Sequence, residues 1–142
     1  MRVLRQMINS RDLKDLHPKV KLMAEKFISE CKLNGIDVLI TSTYRDAAMQ
    51  NSLYAQGRTV RGNKVTNAKA GQSFHNYRVA FDFVPLVGKP VWDNDELWQK
   101  CGMIAEKCGL EWAGRWTKFK EMPHCQFTNG LSLADFQSGK TL

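Results

Sequence analysis

The stretch SFHNYRVAFD, Ser73 to Asp82, sets a histidine and an aspartate seven residues apart among Phe74, Tyr77, Val79 and Phe81. A carboxylate within that much apolar surface is costly unless something positive meets it. Alternation places Asp82 and Ala80 on one face of a strand and Val79, Phe81 and Phe83 on the other. Asp82 therefore points in a fixed direction, and the rest of the chain is read outward from the strand that carries it.

Downstream, VAFDFVPLVGKPVW continues as that strand, a turn at Gly88-Lys89 and a short partner strand. Upstream, GRTVRGNKVTNAKAGQ is a basic loop of a length that usually signals function or mobility. Before the loop, DVLITSTY is β-branched and predicts a strand, after which Asp46 caps a helix through Gln56 that Gly57 ends. From Leu16 to Asn34, Val20, Met23, Ala24, Phe27, Ile28 and Cys31 recur at helical spacing, with Pro18 suited to the first turn and Asn34-Gly35 to the stop. Asp93 to Cys108 predicts another amphipathic helix, capped by Asp93 or Asn94 and ended by Gly109. LEWAGRWTKFKEMPHCQF reads as a short strand, a loop and a strand starting near His124, and SLADFQSG as one or two helical turns. The mixture predicts an α+β fold, a small mainly antiparallel sheet flanked by helices, in one domain spanning residues 1–142.

The chain has 142 residues, 43% of them hydrophobic, which suits one core and leaves no room for a second domain of ordinary size. Lys and Arg number 21 against 14 Asp and Glu, a net charge of +7 that favours an anionic partner. The basic residues are dispersed, and no helix-turn-helix, zinc-finger or aromatic RNA-binding pattern accompanies them, which argues against nucleic acid. MRVLRQMINSRDLKDLH contains no apolar run of signal-peptide length, and no stretch is apolar for the length of a bilayer. Cytosolic synthesis without membrane embedding is the expectation. Cys31, Cys101, Cys108 and Cys125 are then expected as free thiols. Cys101 and Cys108 share a helix face, where core packing is favoured over metal ligation because no CxxC pair accompanies them.

Three histidines are present, at positions 17, 75 and 124. His17 precedes Pro18 at a helix start, a capping or surface position. His75 and Asp82 taken alone would more often form a hydrogen-bonded pair than a metal site. His124 changes the balance, because Pro123 fixes its own φ and restricts Met122, so the histidine sits on rigid backbone. Two nitrogens and one carboxylate oxygen from His75, Asp82 and His124 would make a three-ligand zinc site with a fourth position open to water, the catalytic arrangement. Glu121, three residues before His124, would be the spare carboxylate.

Ser73, His75, Ala80 and Asp82 resemble the S-x-H-x-x-G-x-A-x-D signature of the zinc peptidases that cut peptidoglycan stem peptides, the D,D-carboxypeptidase and L-alanyl-D-glutamate peptidase group. EWAGRWTKFKEMPHCQF resembles that group's second signature, with an acidic residue three before the last histidine. TSTYRDAAMQNSLYAQGRTVRGNKVTNA is similar to its region with a Y-R pair, a Gln five residues after the Arg, and L-Y-x-Q-G-R-T. The likeness runs from about Leu16 to Phe127 and is greatest to single-domain phage endolysins that hydrolyse the bond between L-alanine and D-glutamate.

The resemblance implies that His75, Asp82 and His124 hold zinc at the sheet face, that Glu121 is the general base, and that Arg45 polarises the scissile carbonyl. Ser73 and Gln50 match positions lining the substrate groove. It implies a stem-peptide substrate in an anionic wall, which loop residues Arg58, Arg61, Lys64 and Lys69 suit, and a monomer made in the host bacterial cytoplasm and released to the wall by another factor such as a holin. Within the enzyme reading D,D-carboxypeptidase activity is the runner-up, and two readings from other classes stay open, a basic nucleic-acid-binding module and a non-catalytic zinc domain that binds a wall or protein. The sequence departs from the signature at one place, where Arg78 stands for its glycine. Because every implied ligand is kept, Arg78 is expected in an ordinary backbone conformation.

Overall fold

The computed structural model describes residues 7–142. The first six residues of the stretch read for a signal segment lie outside the described residues. Among those described, β1 (Asp37–Ser42), β2 (Ala80–Leu86), β3 (Glu111–Trp112) and β4 (His124–Gln126) form one sheet in the order β1-β2-β4-β3. Each neighbouring pair is antiparallel. With α1 (Pro18–Leu33), α2 (Ala47–Ala55), α3 (Asp95–Lys107) and α4 (Leu133–Gln137), this is the α+β arrangement expected.

The helix ends follow from their caps. His17 Nδ1 accepts the Lys19 N–H at 3.1 Å and Pro18 opens α1, so His17 is the capping residue its position suggested. Asp46 accepts the Met49 N–H at the start of α2. Of the two candidates at α3, Asn94 is the cap, accepting from Leu97 N–H.

One stripe of α1, Val20, Ala24, Phe27 and Cys31, packs with Trp98, Cys101 and Ala105 of α3 against Phe81 and Phe83 of β2. Phe83 is central: its ring centroid lies 4.9 Å from Phe27 and 5.4 Å from Trp98, both edge to face. Full burial of each such side chain stabilises by roughly 1.5–3 kcal/mol. Trp112 closes the core beside β4. Its ring lies so close to Gly102 of α3 and to Gly114 that an added Cβ would come within 2.2 Å and 2.1 Å of it. The indole Nε1 donates to the Met122 carbonyl at 2.7 Å, which fastens the loop leading into β4. Cys31, Cys101 and Cys125 are buried and Cys108 half-buried, all as free thiols.

Three expectations need correction. β1 ends at Ser42, short of Tyr44, because a bulge between Ile40 and Ser42 breaks the register and redirects the chain. The partner strand after Gly88 is a single bridge between Leu86 and Pro90, since proline has no N–H with which to extend a ladder. Arg78 is not in an ordinary conformation: its φ of 66° and ψ of 23° are left-handed. It follows the 3-10 turn Phe74–Tyr77, and its N–H returns to the Phe74 carbonyl so that the chain can reverse into β2. The guanidinium stacks 3.8 Å over the Tyr44 ring and donates to the Asp15 carbonyl at 2.8 Å. A glycine could make neither contact, and together they offset a backbone cost of roughly 1–2 kcal/mol.

Candidate active site

The sheet register builds the site. Asp82 on β2 is the Cα partner of Ser42 on β1 and of His124 on β4, so the three form a row across one face. His75 is delivered by the 3-10 turn, whose first N–H groups are held by Ser73: its Oγ accepts from His75 N–H at 3.3 Å. Asn76 returns the favour by accepting the Ser73 N–H at 3.2 Å and donating to the Arg45 carbonyl at 3.0 Å.

His75 Nδ1 lies 2.8 Å from the Thr43 carbonyl. A carbonyl only accepts, so Nδ1 carries the proton and Nε2 presents a lone pair. That Nε2 is buried and, among the described residues, has no hydrogen-bond partner. It stands 3.3 Å from Asp82 Oδ1, and His124 Nδ1 stands 3.2 Å from the same oxygen. The three ligand atoms lie within 4.8 Å of one another. A buried lone pair aimed at a carboxylate oxygen is unfavourable unless a cation lies between them, so the residues fit a divalent ion with mixed nitrogen and oxygen ligands.

Burial pushes His75 below the usual imidazole value, with Asp82 only partly opposing it. Burial acts in the same sense on His124, but the hydrogen bond and charge of Asp82, with Gln126 and Glu121, outweigh it and hold that ring above its usual value. Burial would raise Asp82, yet the two histidines prevail and hold its carboxyl well below the usual range. Burial lowers Arg45 from its usual value, against the opposing charges of Asp82 and Glu121.

Arg45 Nη2 is 3.4 Å from Asp82 Oδ2, its Nη1 donates to Gln50 Oε1 at 3.1 Å, and its Nε donates to Ser42 Oγ at 3.3 Å. Gln50 is 0% exposed and donates its other end to the Ala68 carbonyl at 2.8 Å. It therefore braces Arg45 and the basic loop from behind, away from the cleft surface. Glu121 is exposed, with Oε2 3.7 Å from His124 Nδ1. A cleft of about 630 Å³ is lined by Arg45, Ser73, His75, Asp82, Glu121 and His124, with Trp92, Trp116 and Phe119 at its apolar parts. Six of the seven expected site residues thus meet in one cleft, and Gln50 does not reach it.

The basic loop is less free than its composition suggested. Arg58 donates to the Tyr54 and Thr66 carbonyls at 2.7 Å and 3.0 Å and stacks 3.8 Å over Tyr54, so it pins the loop. Arg61 and Lys64 are exposed.

Three contributors escaped the sequence reading: the Thr43 carbonyl, Gln126 and Glu111. His124 Nε2 is 2.8 Å from Gln126 Oε1, Gln126 Nε2 donates to Glu111 Oε2 at 2.9 Å, and Trp116 Nε1 donates to Glu111 Oε1 at 3.2 Å. The two-residue spacing of His124 and Gln126 on a strand, which puts both on one face, was the available signal for Gln126.

A family model described as D-alanyl-D-alanine carboxypeptidase matches residues 66–127, the span that holds His75, Asp82, Glu121 and His124. The chain is 40% identical over 122 residues to the peptidoglycan L-alanyl-D-glutamate endopeptidase CwlK of Bacillus subtilis, covering 79% of this chain and 73% of that protein. It belongs to the D,D-carboxypeptidase and L-alanyl-D-glutamate peptidase family. The peptidase is also 31% identical over 126 residues to the L-alanyl-D-glutamate peptidase of Listeria phage A118, covering 87% of this chain and 41% of that protein. In fold, the peptidase is similar to the Serratia marcescens L-Ala D-Glu endopeptidase ChiX, with a TM-score of 0.61 at 18% identity over 91% of this chain and 92% of that one. VanYB in complex with D-alanine-D-alanine gives a TM-score of 0.62 at 12% identity over 99% and 93%.

Proposed function

We propose that the peptidase hydrolyses the L-alanyl-D-glutamate bond of peptidoglycan stem peptides, using zinc held by His75 Nε2, Asp82 Oδ1 and His124 Nδ1. The observation that carries this reading is the convergence of three ligand atoms within 4.8 Å around a buried His75 Nε2 that has no hydrogen-bond partner among the described residues. It is supported by likeness to two proteins named for that bond. Zinc, when bound, supplies a water made acidic to a pKa of about 7 and a Lewis acid for the carbonyl.

The chain's own residues do the rest. Glu121, on the loop before β4, takes a proton from the attacking water and returns it to the departing amine. Arg45 spends one N–H on each of Ser42, Gln50 and Asp82 and turns the others toward the charge that develops on the scissile oxygen. Ser73 contacts the peptide from the cleft wall, and Gln50 acts indirectly, by fixing Arg45. The net charge of +7 draws the protein to an anionic wall. The described residues act as one domain and as a monomer, made in the host cytoplasm and released to the wall during phage lysis. Among the described residues no helix is long and apolar enough to cross a membrane.

Mass spectrometry of a digest of purified peptidoglycan tests the reading. A new free amino terminus on D-glutamate is the expected product. Loss of terminal D-alanine would instead establish D,D-carboxypeptidase activity, the second reading, which the description of the matching family model favours. Zinc binding with no product of either kind would leave a wall-binding domain.

A further inference from the structure

The neighbours of His124 determine which of its ring nitrogens bears the proton. Glu111, as a carboxylate, can only accept hydrogen bonds. Its Oε2 receives Gln126 Nε2 at 2.9 Å, which orients the Gln126 amide with nitrogen toward Glu111 and oxygen toward His124. That oxygen, Oε1, lies 2.8 Å from His124 Nε2 and can only accept, so it favours the proton on Nε2. Nδ1 faces Asp82 Oδ1 at 3.2 Å, also a pure acceptor, so the one N–H of a neutral ring is contested. The Gln126 oxygen is what draws it to Nε2 and leaves Nδ1 its lone pair for a cation.

We infer that Glu111, acting through Gln126, is a positioning residue that keeps the His124 proton on Nε2 and so reserves Nδ1 for the metal. The inference rests on the zinc reading given above. Trp116 Nε1 donates to the other Glu111 oxygen at 3.2 Å, so both oxygens are engaged and the carboxylate is held in place. Glu111 and Gln126 are Cα partners in the β3–β4 ladder, so the two-residue β3 sets the carboxylate opposite the amide. Gln126 is 4% and His124 7% exposed, which leaves the ring little access to water as a substitute partner. Without a pure acceptor at position 111 the Gln126 amide can turn over and offer its nitrogen to His124 Nε2. The imidazole proton then moves to Nδ1, where it opposes a cation.

Two readouts besides activity test this on the full chain. The first is the nitrogen NMR signature of the His124 ring in zinc-free protein in alkaline buffer, with both site imidazoles neutral. Wild type should hold more of the proton on Nε2 than Glu111→Gln does, and equal distributions in the two proteins would overturn the inference. The second is zinc affinity by competition with a chromophoric chelator. Glu111→Gln, which keeps shape but adds a donor, should give mixed tautomers and weaken zinc binding by about 10- to 100-fold. The double variant Glu111→Gln with Gln126→Glu rebuilds an acceptor facing Nε2, and it should restore the wild-type tautomer and most of the affinity. Mere support of β3 by Glu111 would change neither tautomer nor permit that rescue. Unchanged affinity and tautomer in Glu111→Gln, or a double variant as weak as the single, would refute the role. A wild-type protein that binds no zinc would defeat the zinc reading instead, while the difference in zinc-free tautomer between wild type and Glu111→Gln still decides the inference.

Discussion

Asp82 and His124 stand directly opposite each other across the β2–β4 ladder. Their side chains share a face at the closest approach a sheet allows, with Cα atoms roughly 4.5–5.5 Å apart. The ligand geometry is therefore fixed by backbone hydrogen bonds, and only His75 has to be brought in by a separate element.

Metal analysis of purified wild type should find one zinc per chain, and both His75→Ala and His124→Ala should lose it. Each substitution leaves two ligand atoms of the three that converge. Full zinc retention in both variants would remove the site.

Glu121→Gln keeps the size of the side chain and removes proton acceptance. Zinc should stay bound while peptidoglycan hydrolysis falls by roughly 100-fold or more. Loss of metal from this variant would make Glu121 a ligand, contrary to its exposed position and 3.7 Å distance from His124 Nδ1.

Arg45→Ala should lower kcat on the order of 100-fold with zinc retained. Gln50→Ala separates bracing from substrate contact, because the Gln50 side chain is buried behind Arg45. Its kcat should fall with KM nearly unchanged. A rise in KM alone would mean that Gln50 touches the peptide.

At Arg78 the left-handed backbone sets the order of two variants. Arg78→Gly removes a strain of about 1–2 kcal/mol but gives up the Tyr44 stack and the Asp15 hydrogen bond, so stability should change by less than about 1 kcal/mol. Arg78→Ala keeps the strain and loses the same contacts, and should melt lower than Arg78→Gly. Denaturant unfolding of the two proteins checks the order, and an alanine variant as stable as the glycine variant would contradict it.

Gly102 lies inside α3, where alanine ordinarily stabilises a helix by about 1 kcal/mol. Here the sign should reverse, because the new methyl would sit 2.2 Å from the Trp112 ring. Gly102→Ala should destabilise by roughly 1–3 kcal/mol in thermal or denaturant melts.

What the sequence disclosed followed from local rules. The helical spacing in α1, the caps at Asp46 and Asn94, and the alternation through Asp82 each depend on a few adjacent residues, and each is found in the fold. The convergence of His75, Asp82 and His124 was legible because the chain has so few histidines and one of them follows a proline. The partners of those ligands were not legible. Thr43 acts through a backbone carbonyl, which every residue possesses, and Glu111 reaches Gln126 only through a β3–β4 register that no local pattern specifies. Arg78 was misjudged because its left-handed conformation is supported by Asp15, 63 residues away in sequence.

The ligands themselves are as dispersed, with Asp82 and His124 separated by 42 residues. An unfolded chain does not hold them together, so an ion that fills the site selects the folded state alone. Thermodynamic linkage then makes heat resistance a property of the medium: a free ion at 100 times its Kd adds about 2.7 kcal/mol, and a strong chelator withdraws it. The melting curve becomes a gauge of ion activity that needs no substrate, and it would report how securely the fold is fastened in a given medium.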